Sequence, residues 1–502
     1  MSEELFVVGD FSGIQDYVLS VSSLGGGQAR RLRARSFFIQ AAEEIAAHAV
    51  LDGFEVSWDD GVIFHGGGRF LLRLPAAAEA EEKLSQLRKD LESSLHRETQ
   101  AGLCLTLAWG RSLDEALRRK EHEKRRPWAL TVAGDDGWHV ANLALDSLTP
   151  RPCAICSRKA ADKTLLEDEA EIQVCSRCHD DTKIGQVLPQ PGRFEIADDG
   201  GFSVLGRGLR FHAGASPPSP HALQTPNLYV PAGMTFKEIA DNACGDNRLV
   251  VLKADVDSMG AKLGERRHNP EELKKFSRDL DDFFSRQVQE KLRGDPWQPI
   301  YTIYSGGDDL LVVGPWNLAL DFAGEVCREF AAGPGNRYGL TFSAGIALTD
   351  YHVPIRHAVE QADELLECAK GRAKAGCPLL AIPPKNACAA LGSVWKWDRH
   401  ETILDEAKRL KSWIEEGVCP RSMAHRLLSL AEGADPLRTA HWAYEVGRNF
   451  PRSNAATDQG RAFRAWGEKV LAEILENPAA TRELAVELRY ALIATRPRRE
   501  SP

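Results

Sequence analysis

Short apolar runs typical of strands alternate along this chain with longer stretches that have helical spacing, and one such arrangement occurs twice. Each copy has an opening apolar run, then a hairpin, then a third strand followed by a helix. These parts occupy residues 5–18, 62–74 and 102–110 in the first copy and 249–260, 300–314 and 339–348 in the second. The pattern predicts two α+β units, each a sheet covered by helices.

The offset between the copies is nearly constant. It is 245 positions between Asp10 and Asp255, 240 between the hairpin glycines Gly67 and Gly307, and 237 between the third strands. Regular self-similarity of this kind indicates an internal duplication.

The rest of the chain divides by composition. A Gly/Pro/Ser-rich stretch at 213–226 is typical of a loop or linker, and after residue 396 apolar residues recur at helical spacing. A chain of 502 residues is long enough for about three or four domains. We predict domains at residues 1–145, 146–230, 231–395 and 396–502, the last of them helical.

The sequence Ser305-Gly306-Gly307-Asp308-Asp309 lies between two strand-like runs. Its glycines allow a tight turn and the close approach of a phosphate chain. Two carboxylates about 4 Å apart repel each other by about 4 kcal/mol at an effective dielectric constant near 20. A divalent cation removes this repulsion, and Mg²⁺ favours a few carboxylates together with water and phosphate.

Asp255 is the candidate third carboxylate, because it ends the buried opening run of the same copy. Asp257 shares its face if the strand continues that far. Two metals about 4 Å apart could activate a 3′-hydroxyl and stabilise a leaving pyrophosphate. A plain turn, with Asp255 capping a helix, is the alternative, but the combination of the three acids favours a Mg²⁺ or Mn²⁺ site.

Other residues could contact a nucleotide. Lys370 and Lys374 lie four apart on one helix face and could hold a triphosphate, or could simply be solvated. Ser343, in the third strand, is a further candidate for contact with base or phosphate. The first copy has three glycines and Arg69 where the second has the acidic turn. We therefore expect no metal there, although a second ATP could bind with Arg69 near its phosphates.

Four cysteines form a CxxC, eighteen-residue, CxxC pattern: Cys153, Cys156, Cys175 and Cys178. This spacing predicts a closed tetrahedral Zn²⁺ site, which is structural because it has no open position for water. His179 is a bystander or a substitute ligand. The other cysteines have no ligand spacing.

Bulk composition narrows the class of protein. The net charge is −9, so the two arginine- and lysine-rich clusters, at 30–35 and 118–126, are more typical of solvated helix faces than of RNA contacts. No apolar run reaches the roughly 18 residues of a membrane span. The start MSEELFVVGD has no signal-peptide pattern, and eleven cysteines without one favour a reducing compartment. We expect a cytoplasmic protein.

Taken together, these motifs resemble the large subunit of type III CRISPR–Cas effector complexes, often called the CRISPR polymerase. The resemblance rests on GDFSGIQDYV, RRLRARSFFIQ, the four-cysteine insert, ADVDSMG and YSGGDD, whose order spans nearly the whole chain. It implies two ferredoxin-like palm domains related to nucleotidyl cyclases, a zinc module between them and a C-terminal helical domain.

The resemblance also implies roles for individual residues. Asp255, Asp308 and Asp309 would be the metal-binding catalytic residues. The expected nucleotide site comprises Ser305, Gly306, Gly307, Asp257, Lys370, Lys374 and Ser343. The implied activity is conversion of ATP to cyclic oligoadenylates when target RNA pairs with a guide RNA. Expected partners are a small helical subunit, a guide-end-binding subunit and both RNAs.

One departure from the family pattern concerns an HD-type nuclease domain. The first palm motif begins near residue 5 and the only His-Asp dipeptide is His179-Asp180, so we expect no DNase activity from this chain. Two alternatives stay open, a GGDEF-like cyclic dinucleotide cyclase and a catalytically silent RNA-binding scaffold. The zinc insert and the duplication argue against the first, and the intact carboxylates argue against the second.

Overall fold

A computed structural model gives the fold of most of the chain. The described residues are 4–20, 27–76, 79–129, 151–167, 170–190, 192–197, 200–214, 222–223, 234–266, 268–372, 384–433, 437–450, 457–477 and 480–498. Lys374 and most of the Gly/Pro/Ser-rich stretch lie outside them.

Fifteen strands are described. They are β1 Glu4–Ser12, β2 Val62–Gly66, β3 Arg69–Pro75, β4 Cys104–Gly110, β5 Lys163–Glu167, β6 Ala170–Val174, β7 Gly192–Ile196, β8 Phe202–Val204, β9 Arg207–Ala213, β10 Leu249–Val256, β11 Tyr301–Gly306, β12 Asp309–Pro315, β13 Phe342–Thr349, β14 Ala387–Ala390 and β15 Ser393–Lys396.

The described α-helices are α1 Ile14–Leu19, α2 Gln28–Gly53, α3 Trp58–Gly61, α4 Ala80–Thr99, α5 Leu113–Glu123, α6 Ser176–Val187, α7 Phe236–Ala240, α8 Met259–Arg266, α9 Pro270–Asp281, α10 Val288–Leu292, α11 Trp316–Phe330, α12 Asn336–Tyr338, α13 Ile355–Ala369, α14 Trp397–Glu415, α15 Arg421–Glu432, α16 Arg438–Tyr444, α17 Asp458–Glu476 and α18 Ala480–Ala494. Three short π-helical segments adjoin α9, α11 and α16, at Asp282–Gln287, Ala331–Gly335 and Glu445–Asn449.

The two predicted copies have the same strand order. The first sheet runs β2-β3-β1-β4, and the sheet of the second copy runs β11-β12-β10-β13, extended by β14 and β15. In both, the hairpin and the third strand lie on opposite sides of the opening strand. Helices follow the opening strand and the hairpin, which gives the β-α-β-β-α-β sequence of elements. The predicted duplication is therefore confirmed by topology.

The chain forms two compact units. The first comprises Met1–Thr235, Ser258–Val312 and Pro354–Arg356. Its four-stranded sheet is antiparallel, and Val7 pairs with Leu72 on one side and Trp109 on the other. Two small antiparallel sheets, β5-β6 and β7-β9-β8, belong to the same unit.

Helix α2 is buried over most of its length, and this overturns the expectation of a solvated arginine face. Arg31, Arg33 and Arg35 are at most 3% exposed. Arg31 forms an ion pair with Glu167 at 2.5 Å, and Arg35 pairs with Asp181 at 3.3 Å. Arg33 lies over the Tyr301 ring, 5.4 Å from its centroid. Buried guanidinium groups need such partners, because an unpaired buried charge is very costly.

The second unit comprises Phe236–Asp257, Val313–Val353 and His357–Pro502. Within it β10 pairs antiparallel with β13, β13 pairs parallel with β14, and β14 returns antiparallel to β15. The helices after residue 396 pack around a core that includes Trp413, Trp442, Phe463 and Trp466. The helical spacing predicted for this region is confirmed.

Candidate active site and metal centres

The acidic turn joins β11 to β12. Gly307 has φ +64°, a left-handed conformation that a side chain disfavours, and this explains the glycine. Asp308 and Asp309 follow it and are partly buried. Burial raises the pKa of Asp308 to about 6, and the negative charge of Asp309 adds to this effect.

Asp255 lies near the end of β10, opposite Ser343 on β13. One carboxylate oxygen from each of Asp255, Asp308 and Asp309 lies within 4.8 Å of the others. Carboxylates at this spacing suit a hard divalent cation that keeps water and phosphate ligands. The three acids could therefore bind metal.

Lys370 is 7% exposed and forms an ion pair with Asp255. Burial lowers the pKa of its ammonium group to about 8, and the positive charges of Arg372 and Lys253 act in the same direction. Lys253 is itself paired with Asp363. A buried cation beside Asp255 is suited to contact an anionic ligand.

The other predicted nucleotide contacts are placed differently. β10 ends at Val256, so Asp257 has left the strand and does not continue the face of Asp255. Its buried carboxylate accepts hydrogen bonds from Thr341 Oγ1 at 2.8 Å, Ser343 Oγ at 2.8 Å and Asn386 N at 2.9 Å.

The side chains of Asp257 and Ser343 therefore bind each other inside the protein. Ser343 is fully buried. Ser305 is 7% exposed, and its hydroxyl donates to the carbonyl oxygen of Phe284 at 2.6 Å. All three side chains are engaged in these hydrogen bonds, and their contact with a nucleotide stays a prediction.

The first copy keeps part of the same constellation, which sequence reasoning missed. Asp10, the counterpart of Asp255, is 1% exposed. Its carboxylate contacts Lys124 at 2.9 Å, Lys120 at 3.3 Å and Arg69 at 3.8 Å. Three cations thus surround the acid, and among the described residues no group of acids joins it to form a metal cluster.

The duplication itself carried the signal for these lysines. Lys120 and Lys124 each precede Lys370 and Lys374 by 250 positions. They belong to or directly follow α5, the first-copy counterpart of α13. A cavity of about 390 Å³ opens beside this cluster, lined by Asp10, Arg69 and Lys120 and by apolar side chains such as that of Phe276.

The four cysteines form the second metal centre. The sulfur atoms of Cys153, Cys156, Cys175 and Cys178 lie within 4.8 Å of one another, and His179 is not part of the group. The pKa of Cys153 is lowered because the thiol of Cys156, followed by those of the other two cysteines, donates hydrogen bonds to it. Four converging sulfurs fit a structural Zn²⁺.

The cysteine cluster is fastened to α2. Helix α6 begins at this cluster, with Cys175 as its cap. Its Asp181 pairs with Arg35, and an N–H of Arg35 also points to Cys178 Sγ at 3.8 Å. Glu167, from the adjoining β5, pairs with Arg31.

Comparison with known proteins finds a matching family model for each of the two copies. Residues 248–376 match the family model for the second palm domain of Cas10/Cmr2. Residues 4–131 match the model for domain B of the Csm1 subunit. The chain belongs to the Cas10/Csm1 family of large subunits of type III CRISPR complexes.

Curated relatives are longer than this Cas10/Csm1-family chain. A subtype III-A single-strand-specific deoxyribonuclease Cas10/Csm1 from Thermococcus onnurineus is 26% identical over 73% of the chain and 53% of the relative. The protein of the same name from Mycobacterium tuberculosis is 26% identical over 97% of the chain and 66% of the relative. The chain thus spans between about half and two thirds of their length.

Solved structures share the Cas10/Csm1 fold. A Csm1–Csm4 cassette in complex with AMPPNP matches with a TM-score of 0.70 at 20% identity, covering 98% of this chain and 70% of that one. The cassette in complex with cA4 matches with a TM-score of 0.69 at 20% identity and the same coverage.

Among the helices of the described residues, none has the length and apolar character that a membrane span requires.

Proposed function

We propose that the chain is a cyclic oligoadenylate synthase, which joins ATP molecules into oligoadenylates and closes them into a ring. The convergence of Asp255, Asp308 and Asp309 at a glycine turn carries this proposal. The fold of a Csm1–Csm4 cassette solved with AMPPNP and with cA4 supports it. In that cassette the ligands are an ATP analogue and a cyclic tetra-adenylate.

In this reaction the carboxylates, glycines and lysines of the site would have separate roles. The three carboxylates would hold Mg²⁺ or Mn²⁺, which supplies charge stabilisation for a 3′-hydroxyl attacking an α-phosphate and for the departing pyrophosphate. Gly306 and Gly307 would let the triphosphate approach the backbone. Lys370 would exchange its contact with Asp255 for a phosphate oxygen, with Lys374 as a second phosphate ligand.

The cavity beside Asp10 would take a second ATP. The three cations Arg69, Lys120 and Lys124 outnumber the one carboxylate that they surround, so the site favours phosphate. Apolar side chains on the other walls, such as Phe276 and Leu273, suit a base. Selectivity for adenine is proposed from membership of the family and not from any residue of this cavity.

We further propose the finer architecture expected from sequence. Residues 1–145 and 231–395 would be two ferredoxin-like palm domains, residues 146–230 the Zn²⁺ module and linker, and residues 396–502 the helical domain. Partners would include the small helical subunit, a guide-end-binding subunit related to the Csm4 of the solved cassettes, guide RNA and target RNA.

DNase activity is a separate matter. The curated relatives are named single-strand-specific deoxyribonucleases, but they are longer than this chain. That this chain has no HD-type nuclease stays a prediction. A single-stranded DNA cleavage assay with Mn²⁺ or Ni²⁺ tests it, and cleavage by the chain itself would contradict it.

The decisive experiment is product analysis. The chain, alone and in its effector complex with target RNA, is incubated with each nucleoside triphosphate and Mg²⁺ or Mn²⁺, and the products are identified by mass spectrometry. We expect cyclic oligoadenylates from ATP, and their loss in the Asp308→Ala plus Asp309→Ala variant. Asp458→Ala is the matched control, because that side chain is 96% exposed.

Two results would replace the proposal. Consumption of GTP with release of cyclic di-GMP would identify a GGDEF-like cyclase. Unchanged ATP turnover in the double variant would identify a scaffold whose carboxylates have no catalytic role.

A further inference from the structure

The carboxylate of Glu43 is built into the turn between β2 and β3. Glu43 lies in α2 and is 1% exposed. Its two oxygens accept hydrogen bonds from the backbone N–H of Gly66 at 2.5 Å and of Gly68 at 2.7 Å. Burying a carboxylate is costly unless it is hydrogen-bonded, so this geometry fixes the turn tightly.

The Gly66–Gly68 turn lies against the acidic turn. A Cβ added at Gly307 would meet the backbone N of Gly67 at 3.5 Å and its Cα at 3.6 Å. A Cβ at Gly66 would lie 3.6 Å from the backbone N of Gly307. The two turns therefore approach so closely that a Cβ on one would touch the backbone of the other. The glycines of both turns also have positive φ angles, which a side chain disfavours.

Tyr304 completes the contact. Its hydroxyl donates to the carbonyl oxygen of Gly306 at 3.3 Å, and it would lie 3.3 Å from a Cβ at Gly67. Burial raises the pKa of Tyr304 well above its usual value, and the charges of Asp309 and Glu43 add to the rise. The phenol thus stays a neutral donor between the two turns.

We propose that Glu43 is a positioning residue for the metal-binding carboxylates. It fixes the Gly66–Gly68 turn, this turn fixes Gly307, and Gly307 sets the place of Asp308 and Asp309. The glycines of the Gly66–Gly68 turn would then support the acidic turn of the second copy. This role rests on the activity proposed above.

The test compares Glu43→Ala and Glu43→Gln with a matched control, Glu92→Gln, in the full chain and its complex. Glu92 lies in α4, is equally buried and accepts a hydrogen bond from Arg88 Nε at 2.7 Å. Steady-state ATP kinetics are measured together with Mn²⁺ binding by calorimetry in the presence of AMPPNP.

Loss of a residue that orients metal ligands typically costs about 10- to 100-fold in metal affinity or activity. We expect losses of this order for Glu43→Ala in kcat and in Mn²⁺ affinity, with a smaller change in the KM for ATP. Glu43→Gln should lie between it and the wild type, because one acceptor oxygen remains. Glu92→Gln should have the kcat and the Mn²⁺ affinity of the wild type.

A second variant covers the case in which Glu43→Ala does not fold. Gly67→Ala leaves Glu43 intact but strains the turn and presses on Tyr304, so it should lower kcat and Mn²⁺ affinity in the same way. Circular dichroism and thermal unfolding verify the fold of each variant.

The inference is wrong if the folded Glu43 and Gly67 variants match Glu92→Gln in kcat and Mn²⁺ affinity while the Asp308/Asp309 double variant is inactive. The activity proposal itself is wrong if that double variant turns over ATP normally. The two failures are therefore distinguishable in one set of assays.

Discussion

Lys370 forms an ion pair with Asp255, one of the three acids whose oxygens lie within 4.8 Å of one another. In the proposed site the ammonium group would compete with a metal ion for this carboxylate. It would leave when metal and triphosphate bind, because Asp255 and Lys370 would both gain new ligands of opposite charge.

Lys370→Gln should have two opposite effects. Without nucleotide, Mn²⁺ should bind several-fold more tightly, because the competing cation is gone. The KM for ATP should rise by about 10-fold or more, since a hydrogen bond to a charged group is worth about 1.5–3 kcal/mol. Calorimetry and steady-state kinetics measure the two effects, with Lys411→Gln, a helix-surface lysine paired with Glu415, as the control. An unchanged KM would show that Lys370 does not contact phosphate.

Gly307→Ala should destabilise the acidic turn. A left-handed conformation costs a non-glycine residue about 1–2 kcal/mol, and the new methyl group would reach van der Waals contact with the backbone of the Gly66–Gly68 turn. We expect a matching drop in the free energy of unfolding and a larger loss of ATP turnover. Gly201→Ala is the control, because a Cβ there meets nothing within 4 Å. Equal effects at both positions would argue against a strained turn.

Cys175→Ser should release the structural metal and loosen α2. Elemental analysis should find about one Zn²⁺ per chain in the wild type and much less in the variant, because one thiolate ligand is lost. Thermal unfolding should begin at a lower temperature, since Asp181 and Glu167 would no longer be held against Arg35 and Arg31. Cys244→Ser, which can keep its contact with the Ala494 carbonyl oxygen, controls for the loss of a thiol. Wild-type Zn²⁺ content in Cys175→Ser would refute the assignment.

His400 should make stability depend on pH. Its ring accepts a hydrogen bond from Trp395 Nε1 at 3.1 Å and lies 3.1 Å from the Leu320 carbonyl oxygen. Burial lowers the pKa of His400 to about 4. Below about pH 6.5 the imidazole of His400 is protonated in the unfolded chain but stays neutral in the folded chain. The free energy of unfolding should therefore fall by up to about 3 kcal/mol as the pH drops to 4.

His400→Gln should remove this part of the pH dependence, because glutamine can replace both hydrogen bonds without titrating. Urea unfolding between pH 7 and pH 4 measures it, and the exposed His357, replaced in the same way, is the control. Parallel pH profiles for His400→Gln and the wild type would exclude the effect.

The acidic turn could be predicted from sequence because glycines and adjacent carboxylates between two apolar runs allow few structures. The duplication could be predicted because the same runs recur at a nearly constant offset, and the two sheets share one strand order. Asp257 could not be placed, because β10 ends one residue earlier than the apolar pattern suggested and a single residue decides where a side chain points.

The burial of the α2 arginines could not be predicted from the sequence either. Charged residues at close spacing resemble a solvated helix face, and their partners Glu167, Asp181 and Tyr301 lie more than 130 positions away along the chain. Only the tertiary fold brings such partners together. Lys120 and Lys124 are a different case, because their match to Lys370 and Lys374 lies along the helices of the repeat and not at its strands.

Helix α2 connects the cysteine module to the start of the acidic hairpin. Arg31 and Arg35 obtain their counter-charges from the cysteine module, while Arg33 and the carbonyl oxygen of Ala29 contact Tyr301 at the start of β11. In a newly made chain deprived of zinc, the ion pairs of Arg31 with Glu167 and of Arg35 with Asp181 would be weakened, inside the helix that contacts Tyr301. Trace-metal supply during synthesis would then decide how much of the protein reaches its folded state.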